Sequence, residues 1–279
     1  SDLIIVAARP AMGKTAFVLS MARNMAIEHE NGVAFFSLEM TDMELTDRLI
    51  ASESGISADK LKGKVKMNPE EWVVLEQSIK RLVKAPLYID ETPGITLTEF
   101  TAKAKRLVRE KGVKIIFVDY LQLMHSGKPQ QGGFSKVQEV TEISNTLKTT
   151  AKDLKVPIIA LAQLNRNLMS RAGSNGKPVL SDLKDSGSIE QDADMVIFIH
   201  RPGMVGMSED LTEAEILIAK NRSGKVGSIE MKYNGDLVRF EDVAPFHESM
   251  MNAEPKPAHP VQKQNPAPAY DPTIPPPPS

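Results

Sequence analysis

The stretch Ala8-Arg9-Pro10-Ala11-Met12-Gly13-Lys14-Thr15 leaves this chain few ways to fold. It follows the apolar run Leu3-Ile4-Ile5-Val6-Ala7 and precedes the helix-forming Ala16-Phe17-Val18-Leu19-Ser20-Met21-Ala22. Strand, glycine–lysine–threonine turn and helix, in that order, make a phosphate-binding loop. Backbone N–H groups at a helix N-terminus converge on an anion, and the helix dipole favours negative charge there. Gly13 lets the backbone come close, Lys14 can reach the β- and γ-phosphates, and the Thr15 hydroxyl suits Mg²⁺. Ala8 stands where the pattern expects its first glycine. A methyl group there penalises positive φ, so the loop has to turn elsewhere. Residues 8 to 16 are the candidate nucleotide-binding segment.

The rest of the chain reads as alternating strands and helices. Val33-Ala34-Phe35-Phe36-Ser37-Leu38 is a second buried strand, with Glu39 at its end and a capping box, Thr41-x-x-Glu44, opening a helix. A short helical turn is expected over 57–63, a helix from Asn68 to Lys84, and a strand at Leu87–Asp90. Thr96-x-x-Glu99 caps a helix ending at Gly112. Ile115-Ile116-Phe117-Val118 closes on Asp119. A Gly-, Gln- and Lys-rich loop spans 125–134. From Ser135 to Leu154 the three-and-four spacing of Val137, Val140, Ile143, Leu147, Ala151 and Leu154 predicts a helix with one core face. Ile158–Ala162 ends at Gln163, and a polar stretch over 164–180 leads to a helix at 186–193 and a strand at Met195–Ile199. The last third shortens to strands at 215–220, 228–233 and 237–240, the final two a hairpin around Asn234-Gly235. The expected fold is α/β: a mostly parallel sheet flanked by helices, with antiparallel strands near the C-terminus, over residues 1–245. Residues 246–279, rich in Pro, Ala, Gln and Lys, read as a disordered or polyproline-II tail.

Composition narrows the partners. A net charge of −2 over 279 residues argues against a broadly basic nucleic-acid coat, so any such binding has to be local. With no cysteine, disulfides and thiolate metal sites are excluded, and a cytosolic setting is expected. No apolar run approaches a membrane span. Ser1 lies just before the first strand without an initiating Met, which reads as a piece of a longer protein.

In open α/β sheets ligands sit beyond the carboxyl ends of the strands. Those ends carry the phosphate loop, Glu39, Asp119 and Gln163. Any one polar group there is ordinary, but the set points to one site. Asp119 suits the second half of an ATPase magnesium site opposite Thr15, Glu39 the base that polarises an attacking water, and Gln163 a γ-phosphate sensor.

The blocks ARPAMGKT, FFSLEM, IIFVDYLQLM, PIIALAQLNR, LKDSGSIEQDADMVIFIHR and AKNRSGKVG, in that order across residues 1–240, resemble the C-terminal motor domain of bacterial replicative helicases of the DnaB family. The resemblance implies a RecA-like ATPase core using ATP and Mg²⁺, working as a homohexamer that moves 5′→3′ on single-stranded DNA in the cytoplasm, at the replisome. It assigns Lys220 and Arg222 as a pair acting in trans, Arg222 as an arginine finger on the neighbour's γ-phosphate. From the residues alone, a surface Lys–Arg pair beside a turn is the simpler reading. Two loops are expected to line a central channel. One carries Lys128; the other, over 164–187, carries Arg166, Arg171, Lys177 and Lys184. Within it Lys184-Asp185-Ser186-Gly187 matches the segment that grips DNA phosphates, with Gly187 offering a backbone N–H. A helicase loader is an expected partner. Primase is expected only through an N-terminal domain absent from these residues. The rival readings are a RecA-like recombinase-type DNA-dependent ATPase, a P-loop small-molecule kinase and a non-catalytic scaffold.

Overall fold

A computed structural model describes residues 1–127, 136–164 and 176–243, with the backbone alone described at 184–187. Nine strands form one sheet in the order β3-β2-β4-β5-β1-β6-β7-β8-β9. They are β1 Leu3–Ala8, β2 Gly32–Ser37, β3 Leu87–Asp90, β4 Val113–Asp119, β5 Ile158–Gln163, β6 Met195–His200, β7 Glu213–Asn221, β8 Gly227–Asn234 and β9 Arg239–Asp242. The first six run parallel, and β7, β8 and β9 add antiparallel strands at one side.

The central strands β1, β2, β4 and β5 are buried on both faces, which is why they are nearly continuous apolar runs. Leu3, Ile5 and Ala7 of β1 point into one core layer with Ala34, Phe36, Ile116 and Val118. Val6 and Ala8 point into the other with Val33, Phe35, Phe117 and Leu161. Helices α5 (Leu97–Lys111) and α6 (Lys136–Leu154) cover the first layer, while α1 (Lys14–Arg23) and α2 (Asp42–Ser54) cover the second. A turn of α3 (Ala58–Leu61), α4 (Pro69–Lys84) and the short α7 (Gly187–Asp192) complete the helices named here.

Helix starts follow local chemistry. Thr41, Asn68 and Thr96 each accept the backbone N–H three residues on, and Glu44, Glu71 and Glu99 reach back to close the box. Two expectations shift. Val137, in the first turn of α6, is 51% exposed, and the buried stripe begins at Val140. The final hairpin pairs Asn234 with Arg239, so Gly235 to Val238 form its turn and β9 begins two residues later than expected. Val238 takes φ 51° there, and Asn234 Oδ1 accepts the Leu237 N–H at 3.3 Å.

Residues 1–243 form one compact unit. Lys128, Arg166, Arg171 and the stretch from 244 on lie outside the described residues. Among the described residues no helix is long and apolar enough to cross a membrane.

Candidate active site

The carboxyl ends of β1 and β5 lie level, as do those of β2 and β4 about two residues short of them. Ala8 pairs with Gln163, and Ser37 with Asp119. Ala8 stays in the strand and is fully buried. The loop turns instead at Ala11, φ 64°, and at Gly13, φ 90°, which caps α1. Gly13 is required twice over. Its backbone lies in the left-handed region, and a Cβ there would come within 3.2 Å of the Phe240 ring and 3.3 Å of the Tyr233 ring. The β8–β9 hairpin is therefore the floor under the phosphate loop, with Phe240 packed edge-on against Phe17 of α1 and against Tyr233.

Thr15 and Asp119, 104 residues apart, meet directly: Thr15 Oγ1 donates to Asp119 Oδ2 at 2.6 Å. Asp119 is 1% exposed, and its Oδ1 has no hydrogen-bond partner. Burial pushes the Asp119 carboxyl above its ordinary value; the Thr15 hydroxyl opposes this, the Glu39 charge reinforces it, and Lys14 and Arg48 oppose it. Burial holds the Lys14 ammonium below its ordinary value against the pull of Asp119 and Glu39. A cation beside Asp119 would relieve the cost of its ionised form. The orphaned Oδ1 and the neighbouring hydroxyl are hard oxygen donors of the kind Mg²⁺ prefers.

Glu39 is exposed just past the end of β2. Its position is set by neighbours on both sides: the Leu38 N–H donates to Asp119 O at 2.7 Å, and Ser37 Oγ donates to Met40 O at 2.6 Å. Gln163 is exposed at the end of β5, and its backbone is bracketed by the Gln122 amide, which donates to Gln163 O and accepts from Gln163 N, each at 3.4 Å. The phosphate loop, Glu39 and Gln163 line one open cavity of about 600 Å³. Arg48, Lys62 and Leu61 from the α2–α3 region and Tyr233 and Val238 of the hairpin line it as well. Those residues, and Gln122, were not picked out from the sequence. Gln122 stood in plain view in the IIFVDYLQLM block, while the others carry no local signal. The Arg201 guanidinium lies 4.0 Å from the centroid of the Tyr233 ring.

Lys220 and Arg222 do not join this cavity. Val196 pairs with Lys220, Met195 with Asn221, and Met195 with Ile4, so the pair sits at the amino end of β1 and β6. The phosphate loop leaves the other end of β1, about 13 Å further along the strand. Lys220 Nζ donates to Glu190 O at 2.5 Å, and Arg222 Nη2 donates to Gln191 O at 2.6 Å. Lys184 and Asp185 lie in a 3₁₀ segment, Leu180–Ser186, and Gly187 is the first residue of α7. Among the described residues no group of three or more His, Cys, Asp or Glu is placed to hold a metal ion.

Residues 1–242 match the family described as DnaB-like helicase C terminal domain. This chain belongs to that family. It is 43% identical over 242 residues to the replicative DNA helicase DnaB of Geobacillus stearothermophilus, a match covering 86% of this chain and 52% of the relative. It is 42% identical to the replicative DNA helicase DnaC of Bacillus subtilis (strain 168), with the same coverage of each. The chain thus spans about half the length of the curated relatives it matches. A solved DnaB-like replicative helicase, described together with its interactions with primase, superposes with a TM-score of 0.80 at 34% identity, over 87% of this chain and 57% of that one. A solved ATPase domain superposes equally well, over 85% of its length. The DnaB-like fold explains why the antiparallel extension matters: β8 and β9 bring Tyr233, Val238 and Phe240 beneath and beside the phosphate loop.

Proposed function

We propose that this chain is the ATP-hydrolysing motor of a ring-shaped replicative DNA helicase, with residues 1–245 as the motor domain. The observation that carries the reading is the hydrogen bond from Thr15, which lines the cavity with the rest of the phosphate loop, Glu39 and Gln163, to the buried Asp119. In this reading residues 8–16 cradle the triphosphate of ATP, Lys14 neutralises its β- and γ-oxygens, and Thr15 and Asp119 hold Mg²⁺. Held by Thr15 and Asp119, the ion would supply positive charge against the triphosphate. Glu39 accepts a proton from the water whose oxygen attacks the γ-phosphorus. The bond to the β–γ bridging oxygen breaks, leaving ADP and phosphate. Gln163 reports the γ-phosphate to the segment that follows it.

Arg222 and Lys220 serve the neighbouring subunit's site, since they lie at the opposite end of β1 from their own loop. A guanidinium supplied in trans is worth a factor of roughly 10³–10⁵ in rate. Lys184, Asp185 and Gly187, with Arg166 and Lys128, contact the sugar–phosphate backbone of single-stranded DNA in the channel. A chain near neutrality can do this because each of six subunits adds only a few contacts. A loader is the expected partner, and the expected setting is the bacterial cytoplasm. The kinase and recombinase readings have no comparable support, since the family match runs through residue 242.

ATPase activity with and without single-stranded DNA, measured beside the mass of the assembly, tests this directly. Stimulation by DNA in a hexamer is the expected result. A monomer hydrolysing ATP at a DNA-independent rate would overturn it.

A further inference from the structure

We infer that Asp194 is a positioning residue for the trans-acting pair: together with the last carbonyls of α7 it forms a seat that holds Arg222 in a presentable conformation. This deepens, and rests on, the reading of Arg222 as the group that completes a neighbour's site.

Asp194 sits between α7 and β6, and its side chain is 12% exposed. One carboxylate oxygen, Oδ2, accepts the Leu3 N–H at 2.8 Å and pairs with Lys148 of α6. The other, Oδ1, accepts from Arg222 Nη1 at 3.2 Å. The two backbones are also joined, since the Arg222 N–H donates to Asp194 O at 2.9 Å. A second guanidinium nitrogen, Nη2, rests on Gln191 O. Lys220 occupies the neighbouring carbonyls, Glu190 O at 2.5 Å and Gln191 O at 3.5 Å. The last carbonyls of a helix lack intrahelical partners and carry its negative end, so cations are stabilised there.

A rim pair with no task beyond solubility needs none of this. Long cationic side chains free in water keep their rotamer entropy, which ordering them gives up. Here that freedom is already spent, yet the Arg222 side chain remains 50% exposed. The group is held without being hidden. Preorganisation of that kind removes an ordering cost from the catalytic step, and a misplacement of about 1 Å costs roughly 10²-fold in rate.

The test mixes subunits. Asp194→Asn keeps an acceptor for the Leu3 N–H but gives up the charge that orients Arg222. It is expected to lower kcat for ATP 10- to 100-fold, with KM changed less than threefold. Mixed with Lys14→Ala subunits, which have a dead loop but an intact Arg222 on an intact seat, the Asp194→Asn loop should recover activity. A purely structural defect in the Asp194→Asn subunit would not recover, and that result overturns the proposal. Arg222→Ala mixed with Lys14→Ala is the parallel arm. If it too stays silent, the shared site itself is wrong; if it recovers while Asp194→Asn does not, only the positioning role falls. Lys148→Met removes the other cation on the carboxylate and leaves Arg222 its partner. Turnover within about threefold of wild type is expected. A loss equal to that of Asp194→Asn would mean that Asp194 merely ties α6 to the sheet, and would also overturn the proposal.

Discussion

Asp119 is placed where its charge is useful and costly. Burial raises its carboxyl from an ordinary value of 3.8. Between the unfolded and folded values the folded state holds more protons, so stability falls as pH rises through that window. At neutral pH the ionised carboxylate is a net cost in the nucleotide-free protein. Asp119→Asn, which keeps an acceptor for Thr15, should therefore raise Tm at pH 7, with the gain shrinking toward pH 4. Thermal denaturation at the two pH values checks this, and a lower Tm at pH 7 would contradict it. The same variant should lose ATP hydrolysis by roughly a hundredfold or more, the scale of removing one preorganised charge from a site. Glu39→Gln separates binding from chemistry. Nucleotide affinity should stay within about threefold while kcat drops by roughly 10²–10⁴, the range for removing a general base. Unchanged turnover would rule out that role.

The β8–β9 hairpin does more than widen the sheet. Phe240 is 8% exposed and packs against Gly13, Phe17 and Tyr233. Phe240→Ala should destabilise by roughly 3–5 kcal/mol and weaken nucleotide binding as the loop loses its floor. Val83, 79% exposed on α4, gives the contrast. Its replacement by Ala should stay within about 0.5 kcal/mol and leave the KM for ATP alone. Equal effects of the two substitutions on nucleotide binding would show that the hairpin is only an edge. Both measurements come from one denaturant titration and one nucleotide titration per variant.

If the site is shared between copies as proposed, activity depends on assembly. ATPase activity per subunit should rise with protein concentration until rings are saturated, and a flat dependence from dilute to concentrated protein would argue for a self-contained site. Strand binding should weaken with salt in proportion to the phosphates neutralised. Lys184→Glu should lower that slope by about 0.7 for each phosphate of a single strand that the side chain no longer neutralises. An unchanged slope, measured by fluorescence anisotropy over a salt series, would remove Lys184 from the interface.

What could be read without coordinates was local chemistry. The phosphate loop, the capping boxes at Thr41 and Thr96, and the polar residues closing apolar strands depend on neighbours a few positions away. Those neighbours are adjacent on paper, and Glu39, Asp119 and Gln163 came from that rule. Pairing register and packing decided the rest, because they join positions that no short pattern connects. The meeting of Thr15 with Asp119 spans 104 residues. The seat of Arg222 draws on β1, α6, α7 and the end of β7 at once. Tyr233, Val238 and Arg48 reach the cavity only because the β8–β9 hairpin and α2 both pack beside the phosphate loop. The substitution at Ala8 shows the division most plainly. Its residue type predicted that the loop must turn elsewhere, and the fold put the turn at Ala11 and Gly13, where the chain leaves the sheet and its backbone is no longer held by strand pairing.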